Sequence, residues 1–86
     1  MNNIYKKIIE HYGEINQKRM IQEECGELIQ AISKDLRGKE HNVEEEIGDL
    51  IIMLNQMIII YDKQSINDWI DYKLKVIEYK MKEGVN

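Results

Sequence analysis

The stretch NVEEEIGDLIIMLNQMIIIY (residues 42–61) decides the fold, because its two halves make opposite demands on their surroundings. The first half is acidic, whereas the second places apolar side chains around nearly the whole circumference of a helix. A helix that is apolar all round must be buried all round, and three other helices of one small subunit can hardly cover it. The stretch therefore predicts a buried third helix and association between subunits.

The rest of the chain predicts three further helices. With no proline and only five glycines among 86 residues, helices can run wherever the apolar spacing favours them, at about residues 3–12, 17–36 and 65–82. The second and fourth helices have expected inner stripes of Ile21, Cys25, Leu28, Ile29, Ile32 and Leu36, and of Ile66, Ile70, Leu74, Ile77 and Met81. The predicted fold is all-α, with four helices in a single domain over residues 1–86 that is completed by subunit association.

The expected helix ends carry glycine or small polar residues. Gly13 follows the first apolar stripe and is expected to cap its C-terminus. Asn42 with Glu45, and Ser65 with Asp68, have the spacing of a capping box, in which each side chain bonds to the backbone of the other residue. These pairs predict the starts of the third and fourth helices.

The net charge of −4 is unevenly distributed. Residues 23–49 hold nine acidic residues and three basic ones, so this stretch argues against a nucleic-acid partner and favours a cation. The single cysteine, Cys25, excludes an internal disulfide and a multi-thiolate zinc site, and its place on the apolar stripe predicts a buried thiol. The longest uncharged run, 12 residues from Leu50 to Tyr61, is too short to cross a membrane, and a cytoplasmic location is expected.

Two acidic motifs lie on neighbouring predicted helices. In EECGE (residues 23–27), Glu24 and Glu27 are three apart, and in EEEIGD (residues 44–49) the same spacing separates Glu46 from Asp49, so each pair shares a helix face. Two solvated acidic faces would be the ordinary interpretation of such runs. Against it, the acidic face of the third helix continues into an apolar stripe that should be packed, which consists of Met53, Met57 and Ile60.

Carboxylates without imidazole or thiolate at ligand spacing favour a hard divalent cation, Mg²⁺ with Mn²⁺ able to substitute. A di-iron bundle would need Glu-x-x-His, which occurs nowhere in the sequence. Mg²⁺ bound by a few carboxylates usually completes its shell with water and substrate phosphates. The pattern therefore favours a nucleotide or pyrophosphate substrate.

The two motifs, in this order and 18 residues apart, resemble the signature of the MazG-like all-α nucleoside triphosphate pyrophosphohydrolases, Glu-Glu-x-x-Glu followed by Glu-x-x-Asp. The flanking text QKRMIQEECGELIQAISKDLRGK (residues 17–39) and EEIGDLIIMLNQM (residues 45–57) resembles short bacterial and phage members. The resemblance implies hydrolysis of nucleoside triphosphates between the α and β phosphates, giving a nucleoside monophosphate and pyrophosphate. It also implies a MazG-like fold, in which a homodimer or homotetramer has a four-helix bundle as its core.

The resemblance also implies roles for particular residues. Glu24, Glu27, Glu46 and Asp49 would hold Mg²⁺, and Glu23 would be the catalytic residue that orients the attacking water or binds a second metal ion. Glu45 would be an additional metal ligand or a residue supporting the ligands.

Cationic side chains are expected on the phosphates, and the candidates are Lys34, Arg37, Lys39 and Lys73. An ordinary solvated charge is the competing interpretation for each, as core or interface packing is for Trp69 and Tyr72. For the chain as a whole, the alternative is a catalytically inactive helical module that senses nucleotides or binds a basic protein.

Overall fold

The computed structural model describes residues 3–86, and these residues form helices with no strand, as predicted. The four helices are α1 (Asn3–Tyr12), α2 (Glu14–Leu36), α3 (Val43–Ile60) and α4 (Lys63–Glu83). α3 packs mainly against α2, and α1 packs on both of them. Within residues 3–86, α4 contacts only α3 among the helices. None of the described helices combines the length and apolar character needed to cross a membrane.

A single glycine separates α1 from α2. Gly13 has a φ of 94°, a conformation that favours glycine, and its N–H donates to the carbonyl of Ile9 (2.8 Å). Its own carbonyl accepts from the N–H of Gln17 (3.1 Å), so the next helix begins at once. α2 therefore starts at Glu14, three residues before the predicted start, and Glu14 forms an ion pair with Lys18 (3.5 Å) in the first turns.

α2 and α3 form an antiparallel hairpin whose connection is held at both ends. The N–H of Lys39 donates to the carbonyl of Lys34 (2.9 Å), beside Gly38 with its φ of 72°. His41 accepts from the N–H of Val43 at Nδ1 (3.2 Å), and its Nε2 lies 3.3 Å from the Asp35 carboxylate. His41 thus caps α3 and ties it to the end of α2, which the sequence did not indicate.

Both predicted capping boxes are wrong. The Asn42 side chain makes no capping bond; its Nδ2 donates to the carboxylates of Glu45 (3.2 Å) and Glu46 (3.3 Å) instead. α4 begins earlier than Ser65, because the Asp62 side chain accepts from the N–H groups of Gln64 (3.0 Å) and Ser65 (3.2 Å). Asp and Asn side chains can each form several kinds of local hydrogen bond, so residue spacing alone does not predict which of them caps a helix.

The face of α2 that packs on α3 is not the predicted stripe. The side chains buried between the two helices are Gln17 and Ala31 of α2 with Glu46, Met53, Gln56 and Met57 of α3. Of the predicted stripe, Ile21 and Leu28 are half-buried, whereas Ile29, Ile32, Leu36 and Cys25 are exposed, so the predicted buried thiol is also wrong. The reason is that α2 carries two faces, and the hairpin brings the one with the acidic residues onto α3.

Much apolar surface is left uncovered in a single subunit. The exposed residues of α3 include Ile51, Ile52, Leu54 and Ile59, and those of α4 include Trp69, Ile70, Leu74, Ile77 and Met81. The predicted inner stripe of α4 therefore faces solvent within the subunit, apart from the half-buried Ile66. Association between subunits stays a prediction.

Candidate metal centre

Four carboxylates converge where the two acidic motifs face each other across the hairpin. Glu24 and Glu27 come from α2, Glu46 and Asp49 from α3, and one oxygen of each lies within 4.8 Å of one oxygen of every other. The spacing of three residues places both members of each pair on one helix face. The antiparallel packing then turns the two faces toward each other, so that four negative side chains share one small volume.

Burial makes this arrangement costly unless something positive is bound. Glu46 is only 5% exposed, while Glu24 and Asp49 are half-buried and Glu27 is exposed. The Oε2 atoms of Glu24 and Glu46 are both inaccessible to solvent and lack any hydrogen-bond partner among the described residues. An unpartnered buried carboxylate oxygen is strongly destabilising, and a proton or a cation is needed to offset its charge.

The pKa values of Glu24 and Glu46, the two carboxyl groups with an inaccessible oxygen, are both raised. The hydrogen bond to Glu27 that only a protonated Glu46 can donate, followed by burial and by the charges of Glu27, Asp49 and Glu24, raises the pKa of Glu46 to about 7. Burial, followed by the charges of Glu27, Asp49 and Glu23, raises the pKa of Glu24 above its ordinary value. Without a metal ion, the cluster therefore retains a proton near neutral pH.

The stability of the metal-free protein and its affinity for a divalent cation should therefore change in opposite directions as the pH rises. Between the ordinary value of 4.5 and about 7, the folded protein holds a proton on Glu46 that the unfolded chain has lost. The melting temperature of the metal-free protein should therefore fall as the pH rises through this window. Affinity for a divalent cation should rise by about tenfold per pH unit over the same window, because the cation must displace the proton.

Titration of Mn²⁺ into the protein between pH 5.5 and 8 measures this effect, with melting curves in EDTA over the same range. Glu46→Gln is the control, since its amide has no proton to lose and its melting temperature should vary less with pH. An affinity that does not change between pH 5.5 and 7 would contradict the shared proton.

A cleft of about 270 Å³ opens beside the carboxylates. Its lining comprises Glu27, Gln30, Ala31, Lys34, Asn42 and Glu46. Sequence reasoning missed the participation of Gln30 and Asn42. The signal was present, because Gln30 follows Glu27 by three residues and Asn42 precedes Glu46 by four, which places each pair on one helix face.

The other predicted site residues lie at varying distances from the cluster. Glu23 is exposed, yet close enough for its charge to raise the pKa of Glu24. Glu45 is exposed and accepts a hydrogen bond from Asn42, but it is not one of the four converging carboxylates. Among the predicted cations, Lys34 lines the cleft.

The remaining predicted cations lie elsewhere. Arg37 and Lys39 are exposed in the connection between α2 and α3. Lys73 lies over the Trp69 ring (5.7 Å to its centroid) and lines a larger surface depression on α4 with Tyr72. That depression is formed by successive turns of one exposed helix and includes none of the four converging carboxylates.

The donor set fits a hard divalent cation. All four groups are carboxylates, the ligands that Mg²⁺ and Mn²⁺ prefer, and no thiolate or imidazole is among them. Two unpartnered oxygens, one from each helix, supply the polar atoms that such an ion would satisfy. The hairpin and its carboxylates thus define an all-α protein with a candidate divalent-cation centre.

Comparison with protein families makes the assignment specific. Residues 13–79 match the family model of the MazG nucleotide pyrophosphohydrolase domain. The match covers most of the 86 residues, both acidic motifs included, and the chain belongs to this family. The search of curated proteins and the search of solved structures each gave no match. The family consists of nucleotide pyrophosphohydrolases that generally depend on divalent cations.

Proposed function

We propose that the protein hydrolyses nucleoside triphosphates, of the ribo or deoxy series, between the α and β phosphates in the presence of Mg²⁺. The products are a nucleoside monophosphate and pyrophosphate. The observation that carries this proposal is the convergence of four carboxylates within 4.8 Å, two of them with a buried and unpartnered oxygen. Family membership supports the reaction type.

Glu24, Glu27, Glu46 and Asp49 are the residues that would hold Mg²⁺, or Mn²⁺ in its place. The bound ion would offset charge on the phosphoryl oxygens and lower the pKa of a water molecule. Asn42 holds one oxygen of Glu46 through its side-chain amide, which leaves the unpartnered oxygen free to bind. The protein would thus supply a preformed site whose charge is balanced only when it is occupied.

Glu23 would orient the attacking water. Its exposed carboxylate lies next to Glu24 in sequence and is near enough to influence its pKa, so it borders the cluster without belonging to it. Glu45 would support Asn42 and Glu46 through the hydrogen bond that it accepts. This division assigns the four converging carboxylates to the cation and the two exposed carboxylates outside the cluster to the supporting roles.

Lys34 is the cation best placed to bind the phosphates. It lines the same cleft as Glu27 and Glu46, whereas Arg37 and Lys39 extend from the neighbouring connection. A lysine ammonium next to a carboxylate site would bind the phosphate oxygens that the metal does not contact. Lys73 lines a separate depression on α4, which makes it a weaker candidate for the phosphates than Lys34.

The proposed reaction is tested by its products. The protein is incubated with a panel of canonical and modified NTPs and dNTPs in Mg²⁺ or Mn²⁺, and both pyrophosphate and nucleoside monophosphate are quantified. Equal amounts of the two products from at least one substrate are expected. Release of neither product from any substrate, or release of phosphate and a nucleoside diphosphate, would refute the proposal.

We also propose that the working form is a homodimer or homotetramer. The exposed apolar side chains of α3 and α4 support this, because a stable monomer rarely leaves so much apolar surface in water. Sedimentation at micromolar concentration should therefore give a mass at least twice that of the 10.3 kDa chain. A mass equal to one chain would contradict the association.

A further inference from the structure

Two glutamines meet between α2 and α3, near the open end of the hairpin. Gln56 is 1% exposed and Gln17 is 5% exposed, and the Nε2 of Gln17 donates to the Oε1 of Gln56 (2.7 Å). Their buried neighbours include Met53 and Met57 of α3. A buried amide pair among methionines is unusual and lies outside the carboxylate cluster, so it needs an explanation of its own.

Stability does not explain the pair well. The Nε2 of Gln56 donates to the carbonyl of Ile52 (3.3 Å) and lies 3.6 Å from the sulfur of Met53. Among the described residues, neither glutamine has a fully buried polar atom without a partner, so removing both amides together need not cost stability. Replacing buried polar pairs by apolar side chains of similar size is often neutral or stabilising. Buried polar residues between helices are better known for selecting one alignment, at some cost in stability.

The alignment of α2 and α3 that pairs the two glutamines also brings the four carboxylates together. Gln17 precedes Glu24 by seven residues on α2, and Gln56 follows Asp49 by seven residues on α3. Because the helices are antiparallel, one alignment pairs both sets, about 10 Å apart along the hairpin. A slide of one helical turn, about 5.4 Å, would separate the two amides and the two carboxylate pairs together.

The apolar part of the interface would resist such a slide only weakly. Met53 and Met57 are buried there, and methionine is unbranched and adapts readily to new neighbours. With one oxygen of each within 4.8 Å of the others, the carboxylates of Glu24, Glu27, Glu46 and Asp49 repel one another, which opposes the functional alignment when no cation is bound. An interaction with strict geometry, away from the repulsion, is therefore needed to keep the carboxylates together.

We propose that Gln17 and Gln56 are positioning residues, which hold α2 and α3 in the alignment that brings the four carboxylates together for metal binding. The inference rests on the proposed function, because it assigns the pair to the same cation site. Neither glutamine belongs to the converging carboxylates or lines the cleft beside them. Their effect on the cation is exerted through the helices.

The test measures metal binding and does not need substrate. Electron paramagnetic resonance measures the concentration of free Mn²⁺ during titration of the wild type and of the double variant Gln17→Met/Gln56→Met. The control is Gln22→Met, which changes an exposed glutamine of α2. Melting curves in EDTA accompany each titration. Methionine matches glutamine in length and removes the amide.

The double variant should melt at or above the wild-type temperature and bind Mn²⁺ about 10–100-fold more weakly, as when other supports of metal ligands are lost. The single variants Gln17→Met and Gln56→Met should each melt below the wild-type temperature, since each leaves one buried amide unpaired. The control should bind as the wild type does.

Three outcomes would overturn the inference. Equal Mn²⁺ affinity of the double variant and the wild type would show that alignment does not depend on the pair. A double variant that fails to fold would show that the pair serves stability. Absence of Mn²⁺ binding by the wild type would overturn the proposed function and this inference with it, whereas the first two outcomes leave the proposed function intact.

Discussion

Glu46→Gln is expected to abolish pyrophosphate release and to stabilise the metal-free protein. Glu46 is the most buried of the four carboxylates, and one of its oxygens has no partner. The amide keeps the size of the side chain but removes the charge that the cation would bind. Loss of one metal ligand costs several kcal/mol of transition-state stabilisation, which corresponds to a loss of activity on the order of 100–1,000-fold.

The stabilisation has the same origin as the loss of activity. In the metal-free protein, Glu46 faces Glu24, Glu27 and Asp49, and removing its charge relieves repulsion within a partly buried cluster. The melting temperature of Glu46→Gln in EDTA should therefore exceed that of the wild type at pH 8, where the Glu46 carboxylate is ionised. A variant that loses activity because it misfolds would melt at a lower temperature.

Glu44→Gln is the matched control for this substitution. Glu44 lies in the first turn of the same helix, is exposed, and is not one of the four converging carboxylates. Its replacement should leave both pyrophosphate release and the melting temperature close to wild type. Equal loss in the two variants, or full activity of Glu46→Gln, would remove Glu46 from the catalytic site.

Mg²⁺ is expected to raise the melting temperature of the wild type by about 10–20 °C. At a concentration one hundred times the dissociation constant, a ligand that binds only the folded state contributes about 2.7 kcal/mol. For a chain of 86 residues, each kcal/mol shifts the melting temperature by about 4–8 °C. Excess EDTA should reverse the shift, since the carboxylates would again face one another without a cation.

The control is the variant in which all four carboxylates become amides, Glu24→Gln/Glu27→Gln/Glu46→Gln/Asp49→Asn. In EDTA it should melt above the wild type, and Mg²⁺ should leave its melting temperature unchanged. Scanning fluorimetry over a Mg²⁺ series measures both proteins. The same Mg²⁺ shift in wild type and variant would mean that the cation binds elsewhere on this acidic chain.

The features predicted best from the sequence are those that depend on local spacing. α1 has the predicted limits and α3 begins within one residue of its predicted start. The convergence of the carboxylates could be predicted because each pair is fixed on one helix face by its own spacing and a short connection makes the two helices antiparallel. Those two facts place the two pairs on facing sides of the hairpin, but they do not fix how far along the helices each pair lies.

The predictions that were wrong concern residues for which the sequence allows more than one set of contacts. α2 carries an apolar stripe and an acidic stripe. Which of the two becomes buried depends on the face that α3 covers, and the periodicity of α2 does not determine that face. Cys25 and Ile29 therefore became exposed, while Gln17 and Ala31 became buried. The Asn42 side chain donates to the carboxylates three and four residues further on, a local use of the amide that the capping-box spacing did not predict.

The polar residues that support the site were the hardest to predict, because glutamine and asparagine are ordinary on helix surfaces. Gln56 gave no signal by itself; its significance depends on Gln17, which lies 39 residues away in the chain. A seven-residue step from each acidic motif would have pointed to both glutamines. Reading acidic and amide residues together along a heptad is therefore a useful way to find such pairs.

The most direct test is a crystal structure with Mg²⁺ and a non-hydrolysable nucleoside triphosphate analogue. We predict Mg²⁺ at about 2.0–2.1 Å from carboxylate oxygens of both α2 and α3, drawn from Glu24, Glu27, Glu46 and Asp49, with phosphate oxygens in the same coordination shell. Lys34 should lie within hydrogen-bonding distance of the triphosphate. Mg²⁺ and the triphosphate bound together at another place, with the four carboxylates ligating nothing, would contradict the proposed site.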